Sequence, residues 1–324
     1  MLLAHETGFA SEPCRGVIEV GSAGAREQLG LGDHVCVFTE GVDQRVDAMA
    51  AVVAAGLRAG DLVMVVTDCL PPPELVAGLG ARGVAVTAGL RSGQVQLVSA
   101  RDVYLPAGRF ELEPLYESMA GLVTQTLAAG YPGLRLVADM TWTLAAPTGL
   151  GQLAGYEAAV NRLLLDGQAF GACLYDRRGL DADLVRAVTC AHPATTSRLH
   201  QAWEPLLRIR RSQRPYGLTL AGEVDASNRQ ALFTALDAVA DELPDRAAPI
   251  VIDVTGLQFA DAATGGALAE LVGRASAGVR IVGCHGVVAV VFDQLDLARL
   301  PGVELLPAVA DAEDSGSGGR GRGR

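Results

Sequence analysis

The nineteen residues Ile250–Leu268, reading IVIDVTGLQFADAATGGAL, constrain the fold of this chain more than any other stretch. Ile250 to Val254 is an apolar run interrupted only at Asp253, as expected of a strand covered on both faces. Thr255 and Gly256 break it, and Leu257 and Phe259 then return to the core. Asp261 stands where a helix N-cap belongs, and Ala262, Ala263, Ala267, Leu268 and Leu271 continue with helical spacing. The stretch predicts a strand, a tight turn and a helix whose start faces solvent.

The first half of the chain has a different rhythm. Short apolar runs at 34–39, 62–67, 95–99, 134–140 and 170–175 alternate with helical patterns at 42–59, 72–82, 112–129, 150–166 and 181–191. Strands separated by helices of this length call for a parallel sheet with right-handed crossovers, so the fold class is α/β. In such sheets ligands bind at the carboxyl ends of the strands. The polar residues falling there are Thr39 and Glu40, Asp68 and Cys69, Arg101 and Asp102, Asp139 with Thr141 and Trp142, and 175–178. A phosphate-binding loop after the first strand would read Gly-x-x-x-x-Gly-Lys-Ser/Thr. Thr39 to Asp47 keeps one glycine, has no lysine, and carries Glu40, Asp43 and Asp47, which repel phosphate.

The 250–268 segment resembles the STAS domain of bacterial anti-sigma-factor antagonists, whose pattern is a strand, an aromatic, then Asp-Ser-Ser/Thr-Gly-Leu-Gly at a helix start. Leu218 to Asp225 resembles the first hairpin of that family, with its turn around Gly222 and Asp225 starting the next helix. Val279 to Cys284 and a helix near 287–295 complete a resemblance spanning 214–308, which implies a smaller α/β domain with a mixed sheet. It also implies a partner surface at Asp225, Asp261, Ala262, Ala263 and Thr264, and an anti-sigma factor or ATPase-type kinase as partner. Aligning Asp261 on the family's Asp puts Ala262 where antagonists carry a phosphorylated serine. A phosphate there adds roughly −1.5 to −2 charges at a helix N-terminus, and alanine has no oxygen to carry it. Thr264 is the remaining hydroxyl on that turn, either a surrogate acceptor or a cap for the turn.

Gly32 to Phe38, Gly56 to Asp61 before the 62–67 strand, Asp139 to Trp142, Tyr156-Glu157, and Cys173 to Arg178 through His192-Pro193 resemble the MEDS domain. That family is a sensory module related to RecA-like ATPases but lacking their nucleotide motifs, and it is thought to respond to small organic ligands. The resemblance covers about 28–195 and implies a RecA-like parallel-sheet sensor whose pocket draws on His34, Cys36, Asp139, Trp142, Tyr175 and Asp176. Glu157 and Asn161 share a helix face and could be solvated. A metal site from His34, Cys36 and His192 would need all three to converge with a fourth ligand; a hydrogen-bonded His34 at the strand's start is the simpler reading. Six cysteines lie without any Cys-x-x-Cys, so neither a structural metal nor a cofactor is expected. Cys173 and Cys190 have no glycine-rich elbow or visible base, which argues against a nucleophilic enzyme.

A net charge of −11 argues against broad nucleic-acid binding, which depends on phosphate neutralisation. No apolar run approaches the roughly 20 residues of a membrane helix, and the start lacks a signal-peptide pattern. The expected organisation is a disordered leader (1–27), sensor (28–195), connector (196–213), STAS domain (214–308) and disordered Gly/Ser/Arg tail (309–324). Trp203, Leu206 and Leu207 form an apolar stripe on the connector, and Arg208 to Arg211 suit acidic partners at a domain boundary. The combination reads as a cytoplasmic signalling regulator in which a small organic ligand controls partner docking, without nucleic acid or membrane contact. The alternatives are a degenerate RecA-like nucleotide-binding or ATP-hydrolysing enzyme with a STAS tether, and a scaffold in a larger assembly.

Overall fold

The computed structural model describes residues 29–199 and 205–307. The expected leader and tail, and Trp203, lie outside the described residues.

In the first half, the apolar runs form strands β1 (His34–Thr39), β2 (Leu62–Val66), β3 (Val95–Val98), β4 (Leu134–Asp139), β5 (Ala169–Asp176) and β6 (Ala194–Thr196). Helices α1 (Val42–Ala59), α2 (Pro72–Ala81), α3 (Val86–Ser92), α4 (Ala100–Tyr104), α5 (Leu112–Ala128), α6 (Leu153–Leu164) and α7 (Ala182–Ala191) lie between them. The sheet order is β3-β2-β4-β5-β1-β6, every pairing parallel. Every residue of β1, β2 and β5 is buried, which explains their unbroken apolar character. Val46, Met49, Leu75 and Leu79 cover one face of the sheet, and Leu115, Met119, Tyr156 and Val188 cover the other.

In this half, the elements that the sequence pattern did not predict are short ones. Helix α3 has seven residues, α4 five, and β6 three, too few for a period to stand out. The expected 150–166 helix is a 3-10 turn, Leu150–Gln152, followed by α6.

The second half contains β7 (Leu207–Gln213), β8 (Tyr216–Val224), α8 (Arg229–Asp241), β9 (Ile250–Ala260), α9 (Ala262–Arg274), β10 (Val279–Cys284), α10 (Gly286–Gln294) and β11 (Val303–Pro307). Its sheet is mixed, in the order β11-β10-β9-β8-β7, with β7 and β8 antiparallel and the other pairs parallel.

Three expectations are corrected here. Residues 207–213 are not connector but the edge strand β7. The hairpin turn lies at Arg214-Pro215, and Gly222 is a mid-strand irregularity: it adopts φ 97°, and the pairing with β9 shifts register beside it. Thr255 and Gly256 do not end the strand, because a second register shift between Thr219 and Ala221 lets β9 run on to Ala260. As a result Leu257 is buried while Phe259 is exposed.

The two halves share a wall. Helices α6 and α7 pack on α8, and Leu165, at the end of α6, belongs to the apolar core of the second sheet. The Arg211 amide donates to the Leu165 carbonyl at 2.9 Å. Buried Asp33 accepts from Arg208 at 3.2 Å and Arg210 at 2.6 Å, and Arg162 reaches Asp241 and Glu242 at 3.3 and 3.0 Å. Asn228 Nδ2 donates to the Pro193 carbonyl at 3.2 Å.

Because Leu165 fills space in the neighbouring core, Leu165→Ala should cost about 2–5 kcal/mol and destabilise the second half although the residue lies in the first. Urea unfolding followed by tryptophan fluorescence and by far-ultraviolet circular dichroism will measure the loss.

Candidate functional site

Helix α6 buries Leu153, Tyr156, Glu157, Asn161 and Leu164 on one stripe. That spacing is the signal a sequence reading of Glu157 and Asn161 as solvated misses: two polar side chains sit on the apolar face of an amphipathic helix. Glu157 is fully buried. Its Oε1 accepts from the Tyr175 hydroxyl of β5 at 2.5 Å. Its Oε2 lies 3.5 Å from His34 Nε2 of β1, 3.5 Å from His192 Nε2 at the end of α7, and 3.5 Å from Cys173 Sγ of β5. Cys173 Sγ is also 3.6 Å from His34 Nε2, and the two imidazole centroids are 4.1 Å apart. Gly171 on β5 leaves room for the His34 ring, since a Cβ there would stand 3.0 Å from its Cδ2.

The tautomers follow from the outer contacts. Asn161 Nδ2 donates to the carbonyls of Glu157, Ala158 and Ala191, so its Oδ1, 3.0 Å from His34 Nδ1, is an acceptor and His34 Nδ1 carries the proton. His192 Nδ1 likewise donates to the Val188 carbonyl at 2.7 Å. Both Nε2 atoms therefore turn toward Glu157. Burial opposes ionisation of Glu157 and the Tyr175 hydroxyl favours it; the His192 and His34 imidazoles would add to that only as cations. Burial, helped by the neighbouring His34 ring, brings His192 down to about 3. Burial and then the Glu157 charge push the Cys173 thiol and Tyr175 phenol up.

The residues expected to line one sensor pocket separate into three places. His34 and Tyr175 belong to the Glu157 cluster, with Cys36 buried nearby on β1. Asp139 and Asp176, at the carboxyl ends of β4 and β5, converge on Arg45 of α1, whose guanidinium is 3.1 Å from Asp176 and 4.0 Å from Asp139. Asp139 also accepts from the Thr141 hydroxyl at 2.8 Å, and Asp176 from Arg178. Trp142 is buried in an aromatic stack, 5.0 Å from Tyr104 and 5.5 Å from Phe110. None of the six lines the cleft of about 390 Å³ beside β2 and β3, whose walls include Thr67, Asp68, Cys69, Pro71, Leu97 and Ser99. That cleft touches the Arg45 centre through Thr67, whose hydroxyl reaches Asp139 at 3.4 Å. The direct link from β1 to α1 is only Glu40 and Gly41.

In the second half, Asp261 caps α9, accepting from the Thr264 amide and the Thr264 hydroxyl, each at 2.9 Å. Thr264 is fully buried, so its hydroxyl serves the cap and is closed to modification in this conformation. Ala262 is exposed and Ala263 half-buried. Asp225 does not start α8. It accepts from the Ser227 amide and hydroxyl in the turn that precedes the helix.

A family model described as the methanogen/methylotroph, DcmR sensory domain, MEDS, matches residues 33–193, and one described as Mlab, STAS domain matches residues 194–307. The chain joins a MEDS domain to a STAS domain. Among solved structures it is similar to the flagellar accessory protein FlaH of Methanocaldococcus jannaschii, at 10% identity over 63% of this chain and 82% of that one, with a TM-score of 0.39. It is also similar to a KaiC-like protein of Pyrococcus horikoshii OT3, at 11% identity over 59% and 77% with a TM-score of 0.36. A further likeness is to an uncharacterized Pyrococcus horikoshii protein in complex with an unknown peptide, at 14% identity over 57% and 80% with a TM-score of 0.40. No curated protein matches.

The pairing of MEDS and STAS domains suggests a signalling regulator. Among the described residues, no helix is long and apolar enough to cross a membrane. In the MEDS domain, Arg45 occupies the strand ends, so Arg45→Met leaves two buried carboxylates without their shared cation. That loss should cost about 3–5 kcal/mol, measured by chemical denaturation of the full chain.

Proposed function

We propose that this chain is a cytoplasmic, non-enzymatic regulator in which the MEDS domain takes a small organic ligand and the STAS domain docks on an anti-sigma factor or an ATPase-type kinase. The observation that carries this reading is the shared wall of α6 and α7 against α8, which joins the sensor's interior to the output domain without needing the 200–204 segment. A cleft of about 390 Å³ lies within the usual range for small-molecule sites, roughly 300–1,000 Å³. A ligand shifts the output only by its differential affinity for two arrangements of that wall, typically about 1–3 kcal/mol.

The docking surface is the start of α9, where exposed Ala262 stands in for the serine of antagonists that are switched by phosphorylation. With no hydroxyl at Ala262 and the Thr264 hydroxyl held by Asp261, control of docking falls to the sensor. Charge introduced at this helix start acts as the phosphate does elsewhere. For a partner captured from the native cell and then purified, Ala262→Glu should weaken binding by about 1–3 kcal/mol. Calorimetry giving wild-type affinity would remove α9 from the interface.

The enzyme alternative makes a different demand. The two-residue link between β1 and α1 offers no glycine-rich cradle, and Arg45 already holds the carboxylates at the strand ends. Calorimetric titration of the full chain with ATP and magnesium should show no binding at micromolar concentrations, and phosphate release should not exceed background. Micromolar affinity lost on altering residues 39–47 would favour the enzyme.

A further inference from the structure

We infer that the buried cluster of His34, Glu157, Cys173 and His192 is a four-ligand site for a divalent transition-metal ion, zinc by its donor set. One ligand atom from each residue lies within 4.8 Å of all the others, and the four side chains come from β1, α6, β5 and the end of α7. The donor atoms are two imidazole nitrogens, one carboxylate oxygen and one sulfur, a mixture that suits zinc in tetrahedral geometry. A tetrahedron with metal–nitrogen and metal–oxygen distances of about 2.0–2.2 Å and metal–sulfur of about 2.3 Å has edges of roughly 3.3–3.8 Å. Four of the six edges between these atoms are 3.5, 3.5, 3.5 and 3.6 Å, and the two from His192 to His34 and to Cys173 lie within 4.8 Å, so a small inward shift of the His192 ring would complete the tetrahedron.

The hydrogen bonding around the cluster is that of a ligand set. Each imidazole gives its Nδ1 proton outward to a carbonyl oxygen, of Asn161 for His34 and of Val188 for His192. This fixes the tautomer that presents Nε2 inward, the usual arrangement behind metal-bound histidines. What remains at the centre is a group of acceptors facing one another. His192 Nε2 is fully buried and has no hydrogen-bond partner, and the single thiol proton of Cys173 cannot serve Glu157 and both imidazoles together. Unmet polar atoms in an apolar interior are costly. A cation at the centre satisfies all four at once, with Cys173 bound as thiolate and its proton released to solvent. All four positions are protein ligands and all are buried, so the ion is structural: it ties β1 and β5 to α6 and to the end of α7. His192 also immediately precedes Pro193, whose carbonyl is bonded by Asn228 of the STAS domain.

The sequence expectation of no metal considered His34, Cys36 and His192. The structure replaces Cys36 with Cys173, its direct neighbour across the β1–β5 pairing, and adds Glu157.

Full-length protein, purified without chelator, should contain about one zinc per chain by plasma mass spectrometry. After chelation and refilling, cobalt(II) should give visible absorption of tetrahedral intensity together with a thiolate-to-cobalt charge-transfer band. That band should disappear in Cys173→Ala and persist in Cys36→Ala. Asn161→Ala keeps every ligand but frees the His34 ring, and chelator competition should show zinc held about 10–100-fold more weakly. Folded wild-type protein that carries no zinc and takes up no cobalt would overturn the inference, as would a charge-transfer band that survives in Cys173→Ala. A different metal at one equivalent would overturn the zinc assignment. The decisive measurements use the wild-type chain, so a variant that fails to fold does not shield the proposal.

Discussion

A carboxylate closed off from water, that of Glu157, dictates much of the arrangement around it. An isolated charge in an apolar interior is too costly to persist unless the surrounding groups are built to receive it. Tyr175 donates its hydroxyl to one oxygen, and His34, Cys173 and His192 gather round the other, each supplied by a different turn of the chain or a different strand position. For them to meet, β1 and β5 must be neighbours, α6 must lie across that pair, and α7 must end at the same depth. The sheet order and the helix placement meet all these conditions together.

Helix α6 is where this interior connects to the rest of the molecule. Glu157 and Asn161 face the cluster, while Arg162 and Leu165 face the STAS domain, one turn further along. The helix is therefore held at two interfaces by unlike forces: polar contacts in the MEDS interior, and apolar packing with ion pairs against α8. A shift of α6 that suits one interface must be accommodated by the other, and close-packed interfaces tend to adopt discrete alternatives rather than deform smoothly.

The strand–helix alternation of the MEDS domain was legible because each strand is a compact apolar run punctuated by glycine or a polar residue, and both domains were legible from local motifs. Asp261 as the cap of α9 could be read directly, since an N-cap is a contact between residues three apart. The cluster could not. His34 and Asn161 meet although they are 127 positions apart in the chain, and no local pattern encodes that distance. Beyond the distant pair His34 and His192, the clue was chemical, a glutamate and an asparagine on the otherwise apolar stripe of α6. Strand β7 was hidden for another reason: three arginines in Leu207–Gln213 read as a charged linker, whereas alternation lets Leu207 and Ile209 enter the core while Arg208 and Arg210 reach Asp33, and Arg211, on the same face as the two apolar residues, reaches Asp166 and Glu242.

That edge strand limits how the protein can be divided. A fragment cut at residue 214, where the family resemblance alone would place the STAS boundary, loses β7 and bares the long flank of β8, seven consecutive pairings from Leu207–Gly222 to Gln213–Tyr216. An uncovered row of amides and carbonyls beside apolar side chains is a template for the next molecule to add to. Dissected in that way, the output domain would be expected to recruit copies of itself, and the arginine-rich β7 is the gatekeeper that keeps the sheet closed to them.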